Sequence, residues 1–125
     1  MTEIQVLVVD DDPAVRSQLS SLLALRGCLV KTASNGAEAL QLLESFDPSL
    51  VLLDMLTPVL DGWGFVRTLE ARHLTVPIIV MGLSSEAEGW ARDIGAAGFL
   101  PKPIQASRLL ACVQIPDQRD SGTVA

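Results

Sequence analysis

Three consecutive carboxylates, Asp10, Asp11 and Asp12, follow four apolar residues in the stretch VLVVDDDP at residues 6–13. Like charges this close repel, and at least one pKa must rise unless a cation joins them. A fourth acid, Asp54, closes the apolar run SLVLLD, and Lys102 follows GFLP. If the apolar runs are adjacent strands, Asp10, Asp11 and Asp54 share one edge with Lys102 opposite. A hard divalent cation, Mg²⁺ or Mn²⁺, would relieve the repulsion. Mg²⁺ asks for only one or two carboxylates, with a carbonyl and waters at about 2.0–2.1 Å completing its shell. Carboxylate, cation and lysine together can stabilise a phosphoryl group on its way to an oxygen nucleophile. Asp12 has a different task. It precedes Pro13, and a capping acid followed by proline at the first helical position is a strong helix start.

The elements that must position these residues are legible as an alternation. The runs 4–9, 49–53 and 77–81 are nearly continuous and apolar, as strands covered on both faces are. The shorter runs 29–33 and 98–100 suit peripheral strands. Between them fall helical periodicities: Val15, Leu19, Leu22 and Leu23; Ala87, Ala91 and Ile94; Ala106, Leu109, Leu110 and Val113. Weaker ones cover about 36–46 and 63–72. Gly27, Asn35-Gly36 and Gly95 punctuate the helix ends. Strict strand–helix alternation predicts an α/β fold, a doubly wound five-stranded parallel sheet with five helices on both faces. Ligands of such folds sit beyond the carboxyl ends of the strands, where these acids and the lysine fall.

Composition narrows the function classes. The chain has 125 residues, enough for one domain, and is 49% hydrophobic with 19% charged residues. Its formal charge of -6 and its nine scattered Lys and Arg residues argue against direct nucleic-acid binding. No apolar run approaches the roughly 20 residues of a membrane span, and MTEIQ lacks a basic secretory n-region. A cytoplasmic protein without membrane insertion is expected. The two cysteines, Cys28 and Cys112, have no metal-type spacing and read as reduced, partly buried thiols. Residues 1–115 are expected to form the domain and 116–125 a flexible tail.

The stretches VLVVDDDPAVR, LVLLDMLTPVLDGW and GAAGFLPKP resemble the receiver domain of bacterial two-component response regulators, over residues 4–115. The resemblance implies a flavodoxin-like strand order of 2-1-3-4-5. It implies Asp54 as phosphoacceptor, Asp10 and Asp11 as metal-holding acids, and Leu56 as the residue giving the metal a backbone carbonyl. Lys102 matches the phosphate-contacting lysine, its bond to Pro103 is expected cis, and Phe99 falls at the aromatic switch position. The implied partners are a histidine kinase or phosphotransfer protein upstream and an unidentified protein downstream. No effector unit follows residue 115 in this sequence, so output is expected through protein–protein contact. A homodimer through the fourth and fifth helical face stays open.

One position departs from the pattern. Where the family carries Thr or Ser at the end of the fourth strand, this chain has Gly82. A hydrogen bond to a charged group contributes about 1.5–3 kcal/mol, so its loss should weaken coupling from phosphate to Phe99 without preventing phosphorylation. Ser84 could substitute if the loop folds back, but Ser84 or Ser85 as cap of the fourth helix is the simpler reading. Two alternatives follow: a receiver-like interaction module that does not switch on phosphorylation, and a Mg²⁺-dependent phosphohydrolase with a D-x-D nucleophile motif. Against the latter stands the capping role of Asp12. His73 reads as solvated, and Trp63 and Trp90 as packing residues, with Trp90 open to a partner-binding role.

Overall fold

The computed structural model describes residues 3–113; the expected domain end at 115 and the tail at 116–125 lie outside them. Strand β1 (Gln5–Val9) leads into helix α1 (Pro13–Ala24), then β2 (Leu29–Ala33) and α2 (Gly36–Leu42). β3 (Leu50–Asp54), α3 (Gly62–Ala71), β4 (Ile78–Gly82), α4 (Ser85–Asp93) and β5 (Gly98–Pro101) follow. A fifth helix, α5, covers 106–113. The five strands are all parallel, in the order β2-β1-β3-β4-β5.

The alternation of side chains along each strand divides the core in two. Leu7, Val9, Val51, Leu53 and Val80 point to one face, where Ala39, Phe65, Leu69 and Ala91 from α2, α3 and α4 cover them. Val6, Val8, Leu50, Leu52 and Met81 point to the other, under Leu19 and Leu23 of α1 and Leu109 and Val113 of α5. The central strands are therefore continuously apolar between their ends, at Val6–Val9, Leu50–Leu53 and Ile78–Met81, because neither face meets water there. Edge strand β2 alternates in exposure instead. Ala106 proves exposed, and Ile104, just before α5, takes the buried place on that face.

The boundaries differ from the sequence expectation in an instructive direction. β3 includes Asp54 and β4 includes Gly82, each one residue beyond the apolar run, because Asp54 pairs with Met81 and Gly82 with Pro101. Pairing follows the neighbour strand, not hydrophobicity, so the polar site residue and the glycine are the last rungs of the ladder. α2 stops at Leu42, four residues short of the amphipathic pattern, with Phe46 still buried beyond it.

Candidate phosphoacceptor and metal site

The carboxyl ends of β1, β3, β4 and β5 converge on one edge. Asp10, directly after β1, is fully buried, while Asp11 is exposed. One oxygen from each of Asp10, Asp11 and Asp54 lies within 4.8 Å of the others. Asp12 turns away and caps α1, its side chain accepting from the Ala14 N–H at 2.9 Å, with Pro13 opening the helix. The division of labour among the three aspartates thus has a geometric basis.

The β1–α1 loop is braced from both sides. The Asp12 N–H donates to Asp10 Oδ1 at 2.9 Å, and Arg16 Nη1 donates to the Asp10 carbonyl at 2.8 Å. Sequence reading missed Arg16, because a surface arginine one turn into a helix carries no signal of the carbonyl it reaches. Asp10 Oδ2 lies 2.7 Å from Lys102 Nζ, yet outside hydrogen-bonding angles, and this buried oxygen has no other partner. Burial raises the Asp10 pKa; Lys102 and the Asp12 N–H offset that only in part.

Lys102 Nζ also donates to Asp54 Oδ2 at 2.9 Å, and the Leu56 N–H donates to Asp54 Oδ1 at 2.8 Å. Burial alone would lower the lysine pKa. Its contacts with Asp10 and Asp54 outweigh that and raise it, so the ammonium is held charged between two carboxylates. The Lys102 N–H donates to the Gly82 carbonyl at 2.7 Å, tying the lysine's backbone to the end of β4. The Lys102–Pro103 bond is cis. Three carboxylates meeting around one buried acid, with a single lysine to balance them, are a donor set suited to a hard divalent cation.

The loop from Asp54 to α3 is tight. Asp61 caps α3 through the Gly64 N–H at 2.9 Å. The Gly62 N–H donates to the Met55 carbonyl at 2.9 Å, and a Cβ on Gly62 would lie 2.8 Å from Met55 Cα. The spacing D-x-x-x-P-x-x-D-G is therefore a closure: only glycine lets the helix start fold back onto the residue after Asp54. At the tip, the Leu60 N–H donates to the Pro58 carbonyl at 2.7 Å around Val59, which sits at φ 68°, a region rarely open to a β-branched residue.

Gly82 has a packing reason. A Cβ there would collide with the Cβ of Ala87 on α4 and reach within 3.6 Å of Phe99 Cε1. α4 occupies the space that a side chain at the end of β4 would need. Ser84 caps α4, but through a long bond of 3.4 Å from the Ala87 N–H. A cavity of about 390 Å³ opens beside Asp54 and Lys102, walled by Gly82, Glu86, Ala87 and Trp90. Trp90 meets Trp63 of α3 edge-on, with ring centres 5.1 Å apart. Glu86 and Trp90 as cavity walls were not legible in the sequence, since their place depends on how closely α4 docks. His73 is exposed at the end of α3, as expected.

The response regulator receiver domain family matches residues 6–114 of this chain. The response regulator MprA of Mycolicibacterium vanbaalenii is 40% identical over 112 residues, 86% of this chain and 48% of the relative. The chain thus spans about half the length of the curated relatives it matches. Among solved structures, a response regulator from Chloroflexus aurantiacus superposes with a TM-score of 0.84 at 29% identity, covering 90% of this chain and 96% of that one. The chemotaxis response regulator CheY4 of Vibrio cholerae gives a TM-score of 0.80 at 31% identity, covering 90% and 98%.

Proposed function

The chain belongs to the response regulator receiver family, and from that premise we propose that Asp54 accepts a phosphoryl group from the phosphohistidine of a kinase or phosphotransfer protein. A carboxylate oxygen of Asp54 forms the new bond to phosphorus, the P–N bond breaks, and the imidazole leaves with its electron pair. Water later cleaves the acyl phosphate, regenerating the carboxylate. The observation that carries this reading is Lys102, whose ammonium bridges Asp54 at 2.9 Å and Asp10 at 2.7 Å. It is already placed to meet the charge of an incoming phosphoryl group.

Asp10, Asp11 and Asp54 would hold Mg²⁺ or Mn²⁺, with the Leu56 carbonyl. The bound cation supplies positive charge to the phosphoryl oxygens. Asp12 and Arg16 keep the Asp10 carboxylate and carbonyl aligned, and the Leu56 N–H fixes the orientation of the Asp54 carboxylate. Among the described residues no helix is long and apolar enough to cross a membrane, consistent with a cytoplasmic signalling role whose output is contact with another protein. A second reading, an interaction module that does not respond to phosphate, is favoured by Gly82 alone.

Intact-mass spectrometry after incubation with acetyl phosphate and Mg²⁺ separates the two. A gain of one phosphoryl group, absent in Asp54→Asn and in a metal-free sample, is expected. No gain under conditions where Mg²⁺ binds would favour the unresponsive module.

A further inference from the structure

The close approach of α4 to Gly82 changes what a modified Asp54 would touch. In place of a side chain at the end of β4, the cavity beside Asp54 has α4 itself as its wall: Ala87 against Gly82, then Glu86 and Trp90. An aspartyl phosphate carries about 1.5 to 2 negative charges where the free carboxylate carries one, in a space that Glu86 helps to line. The helix's first turn hangs from Ser84, whose hydroxyl accepts from the Ala87 N–H at 3.4 Å and whose carbonyl accepts from it at 3.0 Å, so α4 is anchored at the rim of the cavity that Ser84 helps to line. From α4 the contact continues through Trp90 to Trp63. Trp63 belongs to α3, whose start is bonded back to Met55, the residue after Asp54.

We propose that in this chain the phosphorylation state of Asp54 is read directly by α4 and passed to α3 through the Trp63–Trp90 contact, without a hydroxyl-to-Phe99 relay. This inference rests on Asp54 being the acceptor. The device is local: charge added beside Glu86 shifts the first turns of α4, and the edge-on tryptophan pair changes its geometry.

The chain has two tryptophans, and they are this pair, so tryptophan emission reports on it alone. The full chain would be phosphorylated with acetyl phosphate and Mg²⁺ while phosphoryl gain is followed by intact mass and emission is read in parallel. The expected result is an emission change that rises with phosphoryl gain and persists, per phosphoryl group, in Phe99→Leu. It should persist in Trp63→Phe, where Trp90 alone reports on α4, disappear in Trp90→Ala, where Trp63 has lost its partner on α4, and shrink in Glu86→Gln. Full phosphoryl gain with an undiminished Trp63 response in Trp90→Ala, or a response lost in Phe99→Leu, overturns the α4 route and leaves the acceptor role standing. Absence of phosphoryl gain in the unaltered chain removes both.

Discussion

At the scale of single residues, the chemistry was readable where it depended on charge and hidden where it depended on space. Asp10, Asp11, Asp54 and Lys102 stand out as like and opposite charges at strand ends, and the fold brings them within contact. The reason for Gly82 was not readable, because it lies in Ala87, whose position over the strand end follows from helix docking. Gly82→Thr should therefore not act as a simple repair of a missing hydroxyl. Overpacking costs typically about 1–3 kcal/mol, and urea unfolding of Gly82→Ala and Gly82→Thr should both show losses in that range. Asp10 offers a test with the opposite sign. Burial raises its pKa in the folded state, so protonated Asp10 is better tolerated in the folded chain, relative to its carboxylate, than in the unfolded one. The stability associated with neutral Asp10 is full below the usual aspartate range and is lost as pH rises above it. Asp10→Asn should thus be more stable than the unaltered metal-free protein at neutral pH. The gain should vanish in acid, and Mg²⁺ binding by titration calorimetry should be lost.

At the scale of elements, the strands were plain because both faces of the sheet are buried, leaving continuous apolar runs. Their ends were less plain, since Asp54 and Gly82 join the ladder through pairing with Met81 and Pro101. Helix starts followed cap chemistry: Asp12, Asn35, Asp61 and Ser84 each accept from a backbone N–H in the first turn. Asp12→Ala should cost about 1 kcal/mol of stability while leaving Mg²⁺ affinity little changed, which separates it from its two neighbours. Comparison of thermal unfolding with Mg²⁺ titration would show this. The tip of the β3–α3 loop stores strain at Val59, exposed and at φ 68°. Val59→Gly should raise stability by about 1 kcal/mol, since residues held in sparsely populated backbone regions cost about 1–3 kcal/mol. A lower urea midpoint for Val59→Gly would contradict that.

At the scale of the whole molecule, the two half-cores leave the cysteines on one side. Cys28 and Cys112 both pack at the margin of the cluster under α1 and α5. Burial raises both thiol pKa values above the usual cysteine range. Because the thiolate is the nucleophile, alkylation by iodoacetamide at neutral pH should be slower in the folded chain than in urea, and both thiols should react once it unfolds. Equal rates in both states would place the thiols outside that cluster.

The acids and the lysine that meet at the sheet edge come from far apart along the chain; Lys102 and Asp54 alone are separated by 48 positions. No single hairpin or helix holds a working fragment of the site. It comes together where β1, β3, β4 and β5 end: Asp54 is the last paired residue of β3, while Asp10 and Lys102 follow directly on β1 and β5. On the proposed function, competence to take up a phosphoryl group would report on the integrity of the sheet edge from β1 to β5. A chain whose edge strand β5 has come loose would withdraw Lys102 from its ion pair with Asp54, even with Asp54 in place. On the proposed function, a partly folded copy would lack the assembled site, without any separate proofreading step.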